Sequence, residues 1–210
     1  MTYTHSHDGK THSHLISKES VKTYFDNAAE QWDNNLKKND DIIRTIIGCA
    51  GVGEGMQVLD VACGTGVMFD FYLERNVAGI TGVDISDKMI DVARKKYRKH
   101  DNITLLALDV EYLVSDKGYD VCMIYNAFPH FPDHHRLIKT MYDLTRTGGR
   151  LCVAHGASKA EIDARHHGSA QHISLGLISV EEMAELFEPY FDVDVMISDD
   201  EKYIVCGVRK

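Results

Sequence analysis

The chain has 210 residues, enough for one domain with a sizeable core, and its balance of 44% apolar and 26% charged residues is ordinary for a globular protein. Its formal charge of −9 argues against a phosphate-backbone binder, whose affinity rests on Lys and Arg displacing counterions. No apolar stretch approaches the ~20 residues that span a bilayer.

Residues 1–16 are polar and repeat Thr4-His5-Ser6-His7 as Thr11-His12-Ser13-His14. Nothing there can bury a core, so a mobile tail is expected. His5 with His7, and His12 with His14, can chelate a divalent metal, but no fixed Cys or carboxylate partner completes a four-ligand set in the tail itself. Weak, exchangeable metal binding is the most that the repeat supports, and no fixed metal site is expected. Residues 17–210 are expected to form a single domain in three parts: helices over 17–51, a core over 56–157 and a closing section over 158–210.

Val21, Tyr24, Phe25, Ala28 and Trp32 recur at spacings of three or four, which predicts a helix from about Ser17 to Asn35. A second helix is predicted from Asp40 to Ala50, ending at Gly51. Met56 to Val61 is a short apolar run that stops at a glycine-rich turn, with a helix from Val67 to Arg75 beyond it. Gly79 to Asp84 reads as a second strand, Ser86 caps a helix through Lys99, and Ile103 to Leu108 reads as a third strand. The basic run Arg94, Lys95, Lys96, Arg98, Lys99 falls on that helix and reads as a solvated face. Tyr119 to Tyr125 is a fourth strand, Asp133 caps a helix to Arg146, and Arg150 to Ala154 is a fifth strand. Strands alternating with amphipathic helices imply βαβ units and a parallel sheet covered on both faces.

The rhythm then changes. Ser158 with Glu161, and Ser179 with Glu182, have capping-box spacing. Phe191 to Ile197 and Lys202 to Val208 pair across Ser198-Asp199-Asp200-Glu201 as a hairpin. The expected fold class is α/β, a doubly wound sheet, mostly parallel, with an antiparallel C-terminal hairpin strand. The five cysteines are odd in number, Cys122, Cys152 and Cys206 sit inside apolar runs, and from the polar, His-rich start no secretory leader is expected. Reduced, buried thiols in a soluble cytoplasmic protein are expected.

The strongest local signal is Val58-Leu59-Asp60-Val61-Ala62-Cys63-Gly64-Thr65-Gly66. A strand ending in such a turn lets backbone approach a ligand closely, and the helix beyond offers free N–H groups to a phosphate or carboxylate. Asp84 ends the next strand, 24 residues after Asp60, where a carboxylate can accept from ribose hydroxyls. Asp109 ends the third strand, where an acid can accept from an adenine amino group. All three acids fall at the carboxyl edge of the sheet, the edge at which open α/β sheets bind ligands.

This constellation resembles the class I S-adenosylmethionine-dependent methyltransferases, in their small-molecule branch, over about Ser17 to Ala157. The resemblance implies a Rossmann-like fold, S-adenosyl-L-methionine as cofactor, S-adenosylhomocysteine as product, and methyl transfer to a small-molecule acceptor. It implies that Asp60, Ala62, Gly64 and Gly66 form the first motif and that Asp84 holds the ribose with Ile85 beside the adenine. Asp109 and Val110 then flank the adenine, Asn126 lies near the methyl-bearing sulfur, and the helix carrying Tyr24 and Trp32 lids the cofactor. Ala62 stands where the family has its first glycine, a mild departure.

Two rival readings remain. A nicotinamide-dependent oxidoreductase expects Gly-x-Gly-x-x-Gly, yet the third position after Gly66 is Phe69, and the chain has no Tyr-x-x-x-Lys pair. A metal-handling or binding protein on the same fold is motivated only by the His-rich tail. Asn126-Ala127-Phe128-Pro129-His130-Phe131 is not the Asn-Pro-Pro-Tyr type used on nucleic-acid amines, so no nucleic-acid or membrane partner is expected. His130 is the candidate catalytic residue, a general base toward an acceptor hydroxyl or thiol, or else a residue that shapes the loop. His155, His166, His167 and His172 follow the fifth strand, and the acceptor is expected between that stretch and the Asn126–Phe131 loop. His134 and His135, at a helix start, read as solvated.

Overall fold

The computed structural model describes residues 16–166 and 173–210, so the histidine repeat of the tail, with His167 and His172, lies outside the described residues. Helix α1 (Lys18–Ala28) begins at Ser17, whose hydroxyl accepts from the Ser20 N–H at 3.0 Å. It does not run on to Asn35: a 3₁₀ turn at Ala29–Gln31 intervenes and a one-turn helix α2 (Trp32–Asn35) follows. Gln31 leaves the helical region at φ −104° and ψ 0°, so the chain turns while the apolar spacing continues across the break. Helix α3 (Asp40–Cys49) is capped by the Asn39 side chain and ends beside Gly51, which takes the left-handed φ of +71°.

Five strands alternate with helices as expected: β1 (Gln57–Val61), α4 (Phe69–Leu73), β2 (Gly79–Asp84), α5 (Asp87–Tyr97), β3 (Ile103–Ala107), β4 (Tyr119–Tyr125), α6 (His134–Leu144) and β5 (Thr145–His155). Several boundaries differ from the sequence pattern; α5, for example, ends at Tyr97 rather than Lys99. The turn after β1 takes up Val67 and Met68, so α4 is shorter than predicted. Thr145 pairs with Tyr119 before an irregularity in the ladder, which starts β5 early and stops α6 at Leu144. Helices α7 (Lys159–His166) and α8 (Val180–Phe187) precede β6 (Phe191–Ser198) and β7 (Tyr203–Arg209). The Ser179–Glu182 capping box closes in both directions, at 3.1 and 2.8 Å.

The sheet order is β3-β2-β1-β4-β5-β7-β6. The first five strands are parallel; β7 runs antiparallel to β5, and β6 antiparallel to β7. Strand alternation divides the core between the two faces. Leu59, Cys122, Leu151 and Val205 pack with α6 and α8, while Val58, Met123, Cys152 and Ile204 pack with α3 and α4. A third, smaller cluster joins Ile16 and Val21 to Ile173, with Tyr24 and Phe25 against it. No described helix is long and apolar enough to cross a membrane.

Candidate functional site

Strand order reverses between β1 and β4, and a cavity opens at the carboxyl ends of those strands. The turn after β1 builds its floor. Ala62, Gly64 and Gly66 all take left-handed backbone, at φ +55°, +55° and +85°. Cys63 N–H donates to the Val83 carbonyl at 3.1 Å, and the Tyr97 hydroxyl donates to the Gly66 carbonyl at 2.9 Å, which fixes the turn from both sides. The two glycines do different work. A Cβ on Gly64, which lines the cavity, would meet nothing within 4 Å, whereas one on Gly66 would lie 2.8 Å from the Phe69 and Tyr97 rings. Gly66 therefore faces the core behind the turn, and Ala62 carries a side chain in the conformation that favours glycine.

Asp84 ties the turn to the end of β2. Gly64 N–H donates to its Oδ2 and Ser86 N–H to its Oδ1, both at 2.8 Å. Burial raises this carboxyl above its usual range, and the two backbone N–H groups oppose the shift. Each oxygen keeps room for a further donor. Asp60 lies elsewhere: it does not line the cavity but is buried behind the turn, on the face of Tyr72, and its Oδ2 has no hydrogen-bond partner among the described residues. Burial, with the Asp84 charge adding to it, pushes Asp60 up to about 8, while the Tyr72 hydroxyl works the other way.

The N-terminal helices roof the cavity. Val21, Phe25, Trp32 and Leu36 face inward, and polar side chains tie this roof to the loops after three strands. Asp33 accepts from the Thr65 hydroxyl and from Lys96 Nζ at 2.8 Å; Asp26 accepts from the Ser86 hydroxyl at 2.6 Å; Lys22 pairs with Asp87; Lys18 pairs with Asp109 at 2.7 Å. Tyr24 does not line the cavity. It faces an outer groove with Ser17 and Asn27 and meets Phe25 edge-on, ring centroids 5.3 Å apart. The spacing of Lys18, Val21 and Phe25, three then four residues, marks the inward stripe.

Ile85, Asp109 and Val110 line the cavity beyond Asp84, and Tyr125 at the end of β4, with Asn126, Ala127, His130, Phe131 and Pro132 of the loop after it, line the other side. Asn126, at φ +54°, accepts from Gly156 N–H at 3.0 Å and so braces β4 against the end of β5. His130 Nδ1 is 2.8 Å from the Ile173 carbonyl, and its ring meets Phe25 edge-on at 5.2 Å. A carbonyl partner requires the proton on Nδ1, which puts the basic lone pair on Nε2. The ring is thus backbone-anchored and on the cavity wall.

Of the histidines expected beyond the fifth strand, His155 instead ends β5. His155 is buried against Tyr203, ring centroids 5.9 Å apart, and does not line the cavity. Backbone of α7 ends at His166, whose side chain is outside the described residues. Most of the acceptor wall expected from residues 155–172 lies outside the described residues; among the described ones, α1 and α2 line the cavity. His134 is half-buried, stacked on Phe128 at 4.0 Å rather than solvated, and burial pulls its pKa down. Among the described residues no three His, Cys, Asp or Glu side chains cluster in a way that could hold a metal.

A family profile described as a methyltransferase domain matches residues 58–149. The ubiquinone biosynthesis O-methyltransferase of Coxiella burnetii is 36% identical over 100 residues, 47% of this chain and 42% of that protein. Malonyl-[acyl-carrier protein] O-methyltransferase 1 of Ilyobacter polytropus is 25% identical over 197 residues, 91% of this chain and 72% of that protein. The chain spans about half the length of most of the curated relatives it matches. In fold, it is similar to magnesium protoporphyrin IX methyltransferase from Synechocystis with bound SAH, at TM-score 0.69 and 17% identity, over 92% of this chain and 100% of that one.

Proposed function

We propose that this chain is a class I S-adenosylmethionine-dependent methyltransferase and that it transfers the methyl group of S-adenosylmethionine to a small, partly apolar acceptor. One observation carries the reading: a single cavity at the β1/β4 switch point reaches from Asp84 and Asp109 to His130, beneath an aromatic roof. Its residues fit the cofactor. Gly64 leaves open the space that a Cβ would fill, and the Asp84 carboxylate, already braced by two backbone N–H groups, keeps acceptor capacity toward the cavity.

When bound, S-adenosylmethionine supplies an electrophilic methyl group on a sulfonium sulfur. Asp84 would accept from the ribose hydroxyls, Asp109 from the adenine amino group, and Ile85 and Val110 would flank the base. The N–H groups of the Ala62–Gly66 turn suit an amino-acid carboxylate. Phe25 and Trp32 would exclude water, and residues 17–51 would act as the lid of a single domain spanning 17–210. His130, held through Nδ1 by the Ile173 carbonyl, would take the acceptor's proton on Nε2. Much of the rate can come from positioning, so the base need not dominate.

Both curated relatives are named O-methyltransferases, which favours oxygen acceptors as the first class to try. The test is label transfer from methyl-labelled cofactor to panels of phenols, carboxylates, thiols and amines. Turnover with one class is expected, and His130→Ala should reduce it by ~10²–10⁴-fold while sparing cofactor binding. No transfer to any small acceptor, with transfer to protein or nucleic acid instead, would contradict the proposal.

A further inference from the structure

Lys18, which ties the roof to the loop after β3, sits in the first turn of α1 and lines the cavity. Its Nζ is 2.7 Å from both Asp109 Oδ2 and Glu111 Oε1. The other oxygen of Glu111 receives Arg136 Nε from α6 at 2.8 Å, and Glu111 N–H donates to Asp109 Oδ1 at 3.1 Å. The two acids are largely buried, with side chains 14% and 9% exposed, so this is not an ordinary surface pair. Two cations and two anions balance, and both oxygens of Asp109 are gripped from the protein side.

We propose that Lys18 is a positioning residue that holds Asp109 in the orientation that selects an amino group on the cofactor's base, and so couples closure of α1 to the identity of that base. The inference rests on the cofactor reading above. A carboxylate oxygen that already receives one donor still accepts a second, so an incoming amino group completes it. A carbonyl at the same position of the base presents a lone pair to that oxygen and is rejected. Without Lys18, Asp109 keeps, among the described residues, only the Glu111 N–H as a tether, and its carboxylate can turn away from the cavity.

The test uses the full chain, calorimetry, and two ligands: S-adenosylhomocysteine and its 6-oxo analogue, S-inosylhomocysteine. The parent should prefer the adenosyl ligand by about tenfold or more. Lys18→Met should weaken the adenosyl ligand by about tenfold and the inosyl ligand by less than about threefold, while Lys18→Arg keeps the parent's preference. Ligand-free thermal unfolding checks that the variants fold, with Lys18→Gln as the substitute if the methionine variant does not. Equal weakening of both ligands would mean that Lys18 only clamps the helix, and no weakening of either would mean that it does nothing here; each result overturns the proposal. Failure of the parent to bind S-adenosylhomocysteine would overturn this inference and the cofactor reading together, which separates the two failures.

Discussion

Alanine at Gly66 and alanine at Gly64 should separate stability from ligand binding in the turn after β1. At Gly66 the added Cβ meets Phe69 and Tyr97 at 2.8 Å. Neither ring yields easily: Phe69 is fully buried, and Tyr97 is held by its 2.9 Å bond to the Gly66 carbonyl. Left-handed backbone costs an L-residue about 1–2 kcal/mol, of which about 0.4–1 returns through a stiffer unfolded chain. Overpacking adds about 1–3 kcal/mol at Gly66 and nothing at Gly64. Gly66→Ala should therefore cost about 1–4.6 kcal/mol and Gly64→Ala about 0–1.6 kcal/mol. A central loss of about 3 kcal/mol would lower Tm by roughly 6–12 °C in a chain of this size. Urea and thermal unfolding followed by circular dichroism give both values. Gly64→Ala should instead weaken S-adenosylhomocysteine by about tenfold or more, because its methyl enters the cavity. Equal destabilisation by the two variants, or a Gly66→Ala within about 0.5 kcal/mol of the parent, would refute this division of labour.

Asp84→Ala should weaken S-adenosylmethionine and S-adenosylhomocysteine alike by ~1.5–3 kcal/mol, and should also lower stability, since two backbone N–H groups lose their acceptor. Unchanged affinity for both ligands would remove the ribose assignment. Asp60 is pushed up to about 8 from an ordinary value of 3.8, so the folded chain holds a proton that the unfolded chain releases. Its contribution is complete below about pH 4 and is lost as pH rises toward about 8. Asp60→Asn should flatten the decline in unfolding free energy between pH 5 and 8 by up to about 1.4 kcal/mol per pH unit, and an unchanged slope would count against the buried acid. Trp32 is the chain's single tryptophan and lines the cavity, so titration with S-adenosylhomocysteine should change its emission. An invariant spectrum during calorimetrically proven binding would place the ligand elsewhere.

Much of this was legible in the residues. Gly79–Asp84 and Tyr119–Tyr125 were bounded correctly because each apolar run ends at a polar or glycine-bearing turn. Periodicity failed at Ala29–Gln31, where the apolar spacing continues through a change of helix type. It also could not separate Tyr24 from Phe25, since both lie three or four residues from Val21 and only the packing of α1 decides which one faces the cavity. Strand alternation alone would have sent Asp60 to the face opposite Leu59 and Val61, yet its motif position suggested the ligand side. The pairing of Lys18 with Asp109 spans 91 positions and leaves no local trace.

The central claim is that the cavity under α1 takes S-adenosylmethionine and not a dinucleotide. Calorimetry of the full chain with S-adenosylmethionine, S-adenosylhomocysteine and NAD tests it directly. Saturable one-to-one binding of the first two, lost or much weakened in Asp84→Ala, and no heat from NAD is the expected result. Binding of NAD with no heat from either sulfur ligand would contradict it.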